Sequence, residues 1–247
     1  MITRPRRSGL SCADQWCEIR WSDTTNFDEI QISMLSDAEL ERAESYSNLA
    51  SRRRFLAAAV LLRTCAGRML NLDPRHVYVK RDCAICGRAH SKTQLPGTGL
   101  QASVTHSGAV VGVALGNGAA IGLDVEYVWE IDYGQLSSLV LAATEPPIRS
   151  IEEFFCYWTR KESVVKATGD GLSQSLTRVI VSSPSAPAEV ISYGGKAVSA
   201  TLTDLKPHPG YAAAITVMSR DPVEITSYGI ADWGGALHAN RRHVGTL

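Results

Sequence analysis

Each half of this 247-residue chain contains one long segment with helical periodicity, and this pairing constrains the fold more than any other feature. Residues 52–70 are rich in Ala and Leu and are typical of an amphipathic helix that stops before Pro74. Residues 150–169 repeat their apolar side chains at helical spacing and end at Gly169. Segments of strand character accompany both helices. The content therefore predicts an α+β fold built from a pseudo-twofold pair of similar lobes.

The strand segments are short apolar or alternating runs separated by turn residues. We expect them at 16–21, 76–81, 102–108, 109–115, 119–128, 176–183, 188–194, 197–205 and 211–219. The triplet Gly116-Asn117-Gly118 is a signal for a hairpin turn between two of these strands. Further helical turns are expected near 134–143 and after Ser36, which is followed by Glu39 in a capping-box pattern. Residues 82–101 are expected to form an irregular loop.

These elements divide into two lobes of one compact unit. We assign residues 1–119 to an N-terminal lobe and residues 120–247 to a C-terminal lobe, with a ragged tail from about residue 235. Because the pair of lobes is internal to the chain, we expect a monomer.

Charge and hydropathy exclude several classes of protein. Lys+Arg and Asp+Glu both number 25, so the zero net charge does not favour a nucleic-acid or membrane-surface partner. The longest apolar run, 55–70, is interrupted by Arg63 and Arg68 and is too short to span a bilayer. The basic N-terminus lacks the apolar stretch of a signal peptide. A cytoplasmic protein with six reduced cysteines is the simplest interpretation.

Glu162 lies among the apolar residues of the second helical segment. At about 100° per residue, it falls about 40° from Trp158, inside the apolar arc. Lys161 and Lys166 border that arc on its two sides. An unpaired carboxylate is costly to bury, so Glu162 needs a structural ion pair, a bound cation, or a position at the edge that reaches solvent.

Two further carboxylates lie on the strand at 119–128. Asp124 and Glu126 share one face because side chains alternate along a strand, and they repel each other unless that face is solvated or binds a cation. Together with Glu162 they form an all-carboxylate set that suits Mg²⁺ or Mn²⁺ better than zinc. Gly122 would allow a ligand to approach the backbone closely. With the neighbouring lysines, the pattern favours a metal-dependent site for a diphosphate.

Three motifs occur in a fixed order. The first is Thr105-His106-Ser107-Gly108, the second is Gly-x-Asp-Val-Glu at 122–126, and the third is Trp-x-x-Lys-Glu-Ser-x-x-Lys at 158–166. Together they resemble the Sfp-type 4′-phosphopantetheinyl transferases over roughly residues 36–220. The resemblance implies two similar α+β lobes with coenzyme A in the cleft between them. It also implies transfer of the phosphopantetheine arm to a carrier-protein serine, with release of adenosine 3′,5′-bisphosphate.

The resemblance assigns roles to individual residues. It implies a metal site of Asp124, Glu126 and Glu162, and catalysis by Glu162, Lys166 and Asp124. Glu145 resembles a further acidic residue of the family. The implied contacts with coenzyme A are Thr105, His106, Lys161, Arg54, Arg42 and Arg88. The hydroxyl of the carrier serine needs a base, and we expect Glu162, or a water that it orients, to provide it.

A separate motif lies in the loop at 82–101. Cys83, Cys86 and His90 have the spacing of metal ligands, but a structural zinc needs a fourth. The alternative is a loop with two small buried thiols.

The expected partners are coenzyme A and apo carrier domains of fatty acid, polyketide or peptide synthases. Residues 127–141, which we term the docking wall, are rich in aromatic and aliphatic side chains and would receive the carrier; the alternative is a plain core helix. Two other functions use the same residues: a non-catalytic coenzyme A binder and a Mg²⁺-dependent phosphohydrolase acting on a nucleotide diphosphate.

Overall fold

The computed structural model describes residues 15–24, 29–82, 89–170, 174–230 and 241–244. The helices are α1 (Asp37–Glu44), α2 (Leu49–Leu70), α3 (Tyr133–Val140) and α4 (Ile151–Thr168). The strands are β1 (Gln15–Asp23), β2 (Lys80–Asp82), β3 (Ala89–Gln94), β4 (Leu100–Ser107), β5 (Val110–Asn117), β6 (Ile121–Tyr127), β7 (Val179–Val181), β8 (Val190–Tyr193), β9 (Thr201–Leu205), β10 (Tyr211–Val217), β11 (Val223–Tyr228) and β12 (Arg241–Val244). Short 3₁₀ turns cover Glu29–Met34, Pro74–His76 and Leu176–Arg178.

Two sheets are stacked between the two long helices. The first has the strand order β12-β11-β1-β5-β4-β3-β2 and the second the order β6-β10-β9, while β7 and β8 form a separate pair. Apolar residues of α2 pack on the first sheet, and α4 packs on the second. Between the sheets, Ile19 and Val110 of the first share a core with Leu123 and Ile215 of the second. The layers therefore run helix, sheet, sheet, helix, which confirms the predicted α+β class.

The helix ends follow the capping residues of the sequence. Ser36 and Glu39 form the expected capping box at the start of α1. Ser150 accepts a hydrogen bond from the backbone N–H of Glu153 at the start of α4. Gly169 ends α4 with a left-handed φ of 83°, a conformation that glycine adopts without steric cost.

Buried arginines interrupt the apolar faces of both long helices. Arg63 of α2 donates to Glu39 at 2.7 Å and to the carbonyl of Val77 at 2.9 Å. Arg160 of α4 donates to Asp204 at 2.6 Å. Within the described residues, no helix combines the length and the apolar character needed to cross a membrane.

The predicted hairpin at Gly116-Asn117-Gly118 is wrong, although a turn does occur there. Strand β5 is paired on one edge with β1 and on the other with β4, so it has no edge left for β6. Gly118 has a φ of +74°, which suits a tight turn. The side chain of Asn117 accepts a hydrogen bond from Trp16, at 2.8 Å. The chain consequently leaves the first sheet at this turn and enters the second.

Gly122 is required by the protein's own helix. A Cβ atom built at this position would lie 2.0 Å from the carbonyl oxygen of Ser163 and 2.3 Å from the backbone nitrogen of Ala167. Both atoms belong to α4, which can lie this close to β6 only because residue 122 has no side chain. The sequence had suggested a ligand as the approaching group.

The C-terminal part of the chain returns to the first sheet. Strand β11 pairs in parallel with β1, and β12 pairs with β11. The chain passes from β5 to β6 at residues 118–120, and the strands after residue 222 lie in the first sheet. The division into two lobes at residues 119 and 120 remains a prediction. Arg241–Val244, which the sequence analysis placed in a ragged tail, forms a strand.

Candidate functional site

The three predicted metal-site carboxylates lie near one another between β6 and α4. Asp124 and Glu126 extend from β6 on the face that α4 covers, and Glu162 extends from α4. Asp124 is 3% exposed and Glu162 is 6% exposed, whereas Glu126 is half-buried. On the adjacent strand β10, Asp124 and Glu126 are opposite two alanines, Ala214 and Ala212. These small side chains leave the carboxylates room between the helix and the sheet.

Burial and mutual repulsion make these carboxylates unfavourable as anions. Burial, followed by the nearby charges of Asp124 and Glu126, raises the pKa of Glu162 to about 7. Burial and Asp124 also raise the pKa of Glu126. The pKa of Asp124 is raised by burial, although the ammonium of Lys166 opposes the rise. A cluster with these properties gains free energy by binding a cation.

Lys166 supplies part of the missing positive charge. Its Nζ atom is 2.6 Å from Oδ1 of Asp124, and it also donates to the carbonyl of Leu123 at 3.2 Å. The other carboxylate oxygen of Asp124, Oδ2, is buried and has no hydrogen-bond partner. A buried oxygen without a partner is costly, and a bound cation would satisfy it.

The chemistry of this cluster fits a hard divalent cation, but the donors are not gathered around one point. Among the residues that the structure describes, no three His, Cys, Asp or Glu side chains are close enough together to hold a metal ion as they stand. Lys166 occupies one oxygen of Asp124 in this arrangement. Asp124 Oδ2, Glu126 and Glu162 would be the protein ligands of such an ion.

Basic side chains border the carboxylates at the end of β4. His106 has an exposed side chain next to Lys166 and Arg54, and the surrounding protein atoms together with these two cations lower its pKa. Arg54, in the second turn of α2, donates to the carbonyl of Gly108 at 3.4 Å. His106, Arg54 and Lys166 therefore lie near one another beside the carboxylates. Their predicted roles toward coenzyme A remain predictions.

The hydroxyl of Thr105 is engaged within the protein. It accepts hydrogen bonds from Lys166 at 3.2 Å and from the backbone N–H of Val125 at 3.1 Å. It donates to Oδ1 of Asp124 at 3.4 Å. The structure thus gives this hydroxyl three partners within the protein. Its predicted contact with coenzyme A remains a prediction.

The structure does not bring Lys161 to this cluster. Its side chain is fully buried, and its ammonium donates to Glu145 at 2.5 Å, to the carbonyl of Val140 at 2.8 Å and to that of Leu176 at 3.3 Å. Burial lowers the pKa of Lys161, and the carboxylate of Glu145 opposes this. Glu145 also accepts from the backbone N–H of Val181 at 2.9 Å. The pair ties α4 to the segments before and after it.

Replacing Lys161 with Met is expected to destabilise the fold by about 3–5 kcal/mol, because it leaves the buried carboxylate of Glu145 without its cation. Urea unfolding monitored by circular dichroism measures this loss. The double variant Lys161→Met/Glu145→Gln should recover a large part of it, since it removes the stranded charge as well. If Lys161→Met instead unfolds like the unmodified protein and only its KM for coenzyme A rises, Lys161 belongs to the coenzyme site.

Of the remaining predicted residues, the structure describes only the side chain of Arg42. The guanidinium of Arg42 lies 5.1 Å from the ring centre of Tyr46, which packs against Phe55 near the start of α2. Cys83, Cys86 and Arg88 lie outside the described residues, as does the side chain of His90. The predicted zinc site and the predicted contact of Arg88 with coenzyme A therefore remain predictions.

A cavity of about 510 Å³ lies on another side of α4. Its walls include Val128, Cys156, Thr159 and Ala212. Within the described part of the chain, none of the predicted catalytic, metal or coenzyme residues lines it. The carboxylate cluster is therefore separate from this cavity.

Sequence reasoning gave no role to Ser107, which the structure places in direct contact with the cluster. Its hydroxyl donates to Oε2 of Glu126 at 2.7 Å. The indole of Trp158 is a second donor to Glu126. The signal that would have found Ser107 is the alternation of hydroxyl residues along β4, at 103, 105 and 107.

Comparison with known proteins gives three matches, and all three are to 4′-phosphopantetheinyl transferases. The model of the family described as the 4′-phosphopantetheinyl transferase superfamily matches residues 120–216, from the start of β6 into β10. The chain is 31% identical over 196 residues to 4′-phosphopantetheinyl transferase HetI of Nostoc sp., an alignment that covers 74% of this chain and 78% of that protein. It is 28% identical over 159 residues to slr0495 of Synechocystis sp., which is provisionally named a 4′-phosphopantetheinyl transferase; that alignment covers 60% of this chain and 62% of that protein.

Proposed function

Because the chain belongs to the 4′-phosphopantetheinyl transferase superfamily, we propose that it transfers the phosphopantetheine arm of coenzyme A to a serine of apo carrier proteins with the aid of a divalent cation. The matched region contains the three carboxylates and Lys166. The enzyme is accordingly a 4′-phosphopantetheinyl transferase. The use of a divalent cation, the residues that contact coenzyme A and the carriers that are modified are proposals.

The observation that supports the proposed site is the buried, unpartnered oxygen of Asp124, which lies near the carboxylates of Glu126 and Glu162. The ammonium of Lys166 lies beside it. Asp124, Glu126 and Glu162 would hold Mg²⁺, which when bound spreads the negative charge of the diphosphate during transfer. His106, Arg54 and Lys166 would bind the phosphate oxygens of coenzyme A. The site needs basic side chains to bind the diphosphate of coenzyme A, and it needs carboxylates to bind the cation.

The protein residues then have defined tasks in the transfer. The serine oxygen of the carrier forms a new bond to the phosphorus that bears the pantetheine arm, and the bond from that phosphorus to the bridging oxygen breaks. Adenosine 3′,5′-bisphosphate leaves with that oxygen. Glu162 accepts the serine proton directly or through a water, and Lys166 stabilises the charge on the phosphate.

Intact-mass spectrometry distinguishes this function from the two others that the same residues permit. The purified protein is incubated with an apo carrier protein, coenzyme A and Mg²⁺. A mass gain of one phosphopantetheine on the carrier, lost when its serine is replaced by Ala, supports the transferase. Cleavage of coenzyme A without that gain indicates a phosphohydrolase, and binding without turnover indicates a non-catalytic binder; either outcome contradicts the proposal.

The docking wall is proposed to receive the carrier. It follows β6 directly, and it exposes Tyr127, Trp129 and Leu139 by 46%, 58% and 61%, while Val140 faces the core. Large apolar side chains exposed together mark a surface for protein contact. The wall begins at the strand that carries Asp124 and Glu126, so a carrier bound there would have its serine near the carboxylates.

Replacing Trp129 with Ala is expected to raise the KM for the apo carrier about tenfold or more, because it removes an exposed aromatic anchor from the contact. The kcat and the KM for coenzyme A should stay close to those of the unmodified enzyme. Ile191→Ala is the matched control, since Ile191 on β8 is an equally exposed apolar residue, at 51%, outside the wall. An equal KM for the carrier in both variants would show that the carrier docks elsewhere.

The sequence admits both Mg²⁺ and Mn²⁺, predicts a monomer, and admits carriers of fatty acid, polyketide or peptide synthases. A panel of apo carriers from fatty acid, polyketide and peptide synthases, each assayed with both cations, addresses the first and third of these.

A further inference from the structure

Three hydroxyl side chains of β4 bind backbone N–H groups of β6. These N–H groups belong to alternate residues and point away from the neighbouring strand β10. Ser103, Thr105 and Ser107 accept hydrogen bonds from the backbone N–H groups of residues 123, 125 and 127, at 2.9, 3.1 and 3.1 Å. Each bond joins residues that are 20 apart in the chain. The two strands therefore run side by side in the same direction, and side chains of one replace the backbone carbonyls that a neighbouring strand would provide.

This hydroxyl ladder (Ser103, Thr105 and Ser107) satisfies an edge that would otherwise be unpaired. Among the described strands, β6 is at the edge of its three-stranded sheet and pairs with β10 alone. Its second edge faces β4, which belongs to the other sheet. Buried backbone N–H groups without acceptors are costly, so the ladder contributes to joining the two sheets.

Two of the three hydroxyls also reach a carboxylate of the proposed metal site. Each hydroxyl has one proton to donate and two lone pairs to accept with. Ser107 accepts from the N–H of Tyr127 and gives its proton to Glu126 at 2.7 Å. Thr105 accepts from Val125 and gives its proton to Asp124 at 3.4 Å. Ser103 accepts from Leu123 in the same way, but no contact with a carboxylate accompanies that bond.

We propose that Ser107 is a positioning residue for the metal ligand Glu126: its hydroxyl fixes the placement of this carboxylate relative to the coenzyme-binding end of β4. The inference rests on the proposed function, because it concerns the same site. Its physical basis is that Ser107 is held by the backbone of the strand that carries Glu126 and binds the Glu126 carboxylate at the same time. One end of β4 therefore holds His106 toward the coenzyme and Ser107 toward the metal ligand.

Mn²⁺ binding to the purified full-length chain tests this inference without relying on turnover. The loss of the free Mn²⁺ electron paramagnetic resonance signal gives a Kd for each variant. Ser107→Ala is expected to raise that Kd about tenfold or more, the usual effect of removing a hydrogen bond to a metal ligand. Ser107→Thr keeps the hydroxyl and should restore binding. The KM for coenzyme A should change little in both.

Ser103→Ala is the matched control, because it removes an equivalent hydroxyl from the ladder but no bond to a carboxylate. It should lower the melting temperature and leave the Kd for Mn²⁺ nearly unchanged. Equal Kd values in Ser107→Ala and Ser103→Ala, or no Mn²⁺ binding by the unmodified protein, would overturn the inference. Should Ser107→Ala fail to fold, Ser107→Cys, a weaker donor of similar shape, is measured instead and must show the same rise. Failure of the transferase proposal is recognised separately, by the absence of a mass gain on the carrier.

Discussion

Glu162→Gln is expected to lower phosphopantetheine transfer by about 1,000-fold while leaving the fold intact. The amide has nearly the shape of the carboxylate, but it is a poor ligand for Mg²⁺ and cannot accept the serine proton. Intact-mass measurement of the rate of carrier modification at saturating Mg²⁺ determines the loss. Glu152→Gln makes the same change on an exposed residue of the same helix and should keep near-normal activity.

The same substitution is expected to raise the melting temperature of the metal-free protein at pH 8. Burial and the charges of Asp124 and Glu126 raise the pKa of Glu162 to about 7, so at pH 8 the folded protein holds an ionised carboxylate that its surroundings disfavour. A carboxylate whose pKa is raised by folding destabilises the fold increasingly as the pH rises. The loss begins near the pKa of the carboxylate in the unfolded chain and continues through its pKa in the folded protein. A neutral amide removes that cost, and each kcal/mol gained is worth about 2–4 °C in a chain of this size.

Two results would contradict this account of Glu162. Near-normal transfer by Glu162→Gln excludes the residue as metal ligand and as base. A fall in melting temperature in chelator-containing buffer would show that Glu162 has a structural ion-pair role, which is one of the alternatives that its sequence position permits. Lost transfer together with a stable or stabilised fold is the combination expected of a functional site.

Gly122→Ala is expected to destabilise the protein by about 3 kcal/mol or more, and to reduce transfer even where the protein stays folded. The added methyl group would overlap the backbone of α4 at Ser163 and Ala167, and neither backbone can rotate away as a side chain could. Helix α4 must therefore move away from β6. Because Glu162 is on α4 and Asp124 is on β6, that movement separates the carboxylates.

Thermal unfolding followed by circular dichroism measures the first effect, and transfer assayed well below the melting temperature measures the second. Gly134→Ala is the control, because a methyl group there would meet only Asp132 Oδ1, at 3.3 Å, and residue 134 lies in the first turn of α3. Alanine favours helix over glycine by about 1 kcal/mol, so Gly134→Ala should be neutral or stabilising. A Gly122→Ala protein with unchanged melting temperature and rate would show that α4 tolerates a wider separation from β6.

Local signals in the sequence predicted the helices well. The ends of α1 and α4 depend on hydrogen bonds between residues three or four apart, and such bonds are visible in the sequence as Ser36 with Glu39 and as Ser150 before the helix and Gly169 after it. Helical periodicity likewise placed Glu162 on the buried side of α4, and the structure finds it 6% exposed. Strands whose position depends on distant neighbours were missed: β3, β11 and β12 have short or polar sequences and are strands because of the strands beside them.

Lys161 and Lys166 illustrate the limit of sequence reasoning within the site. Both border the apolar arc of α4 by periodicity, and both were predicted to meet the substrate. Lys166 contacts Asp124, whereas Lys161 is enclosed with Glu145. The difference arises from the segments that cover each side of α4, because the loop that contains Glu145 closes over one side and β6 lies along the other.

By itself, the sequence determined the helices, most of the strands, the α+β class and the grouping of Asp124, Glu126 and Glu162 as one set of carboxylates. Only the tertiary structure decided which strands pair, which lysine is available to a ligand and which hydroxyls hold the carboxylates. The physical reason is that periodicity and capping act within a few residues along the chain. Pairing of β6 with β10, enclosure of Lys161 and the bond from Ser107 to Glu126 depend on which edges and charges remain unpaired once the whole chain has folded.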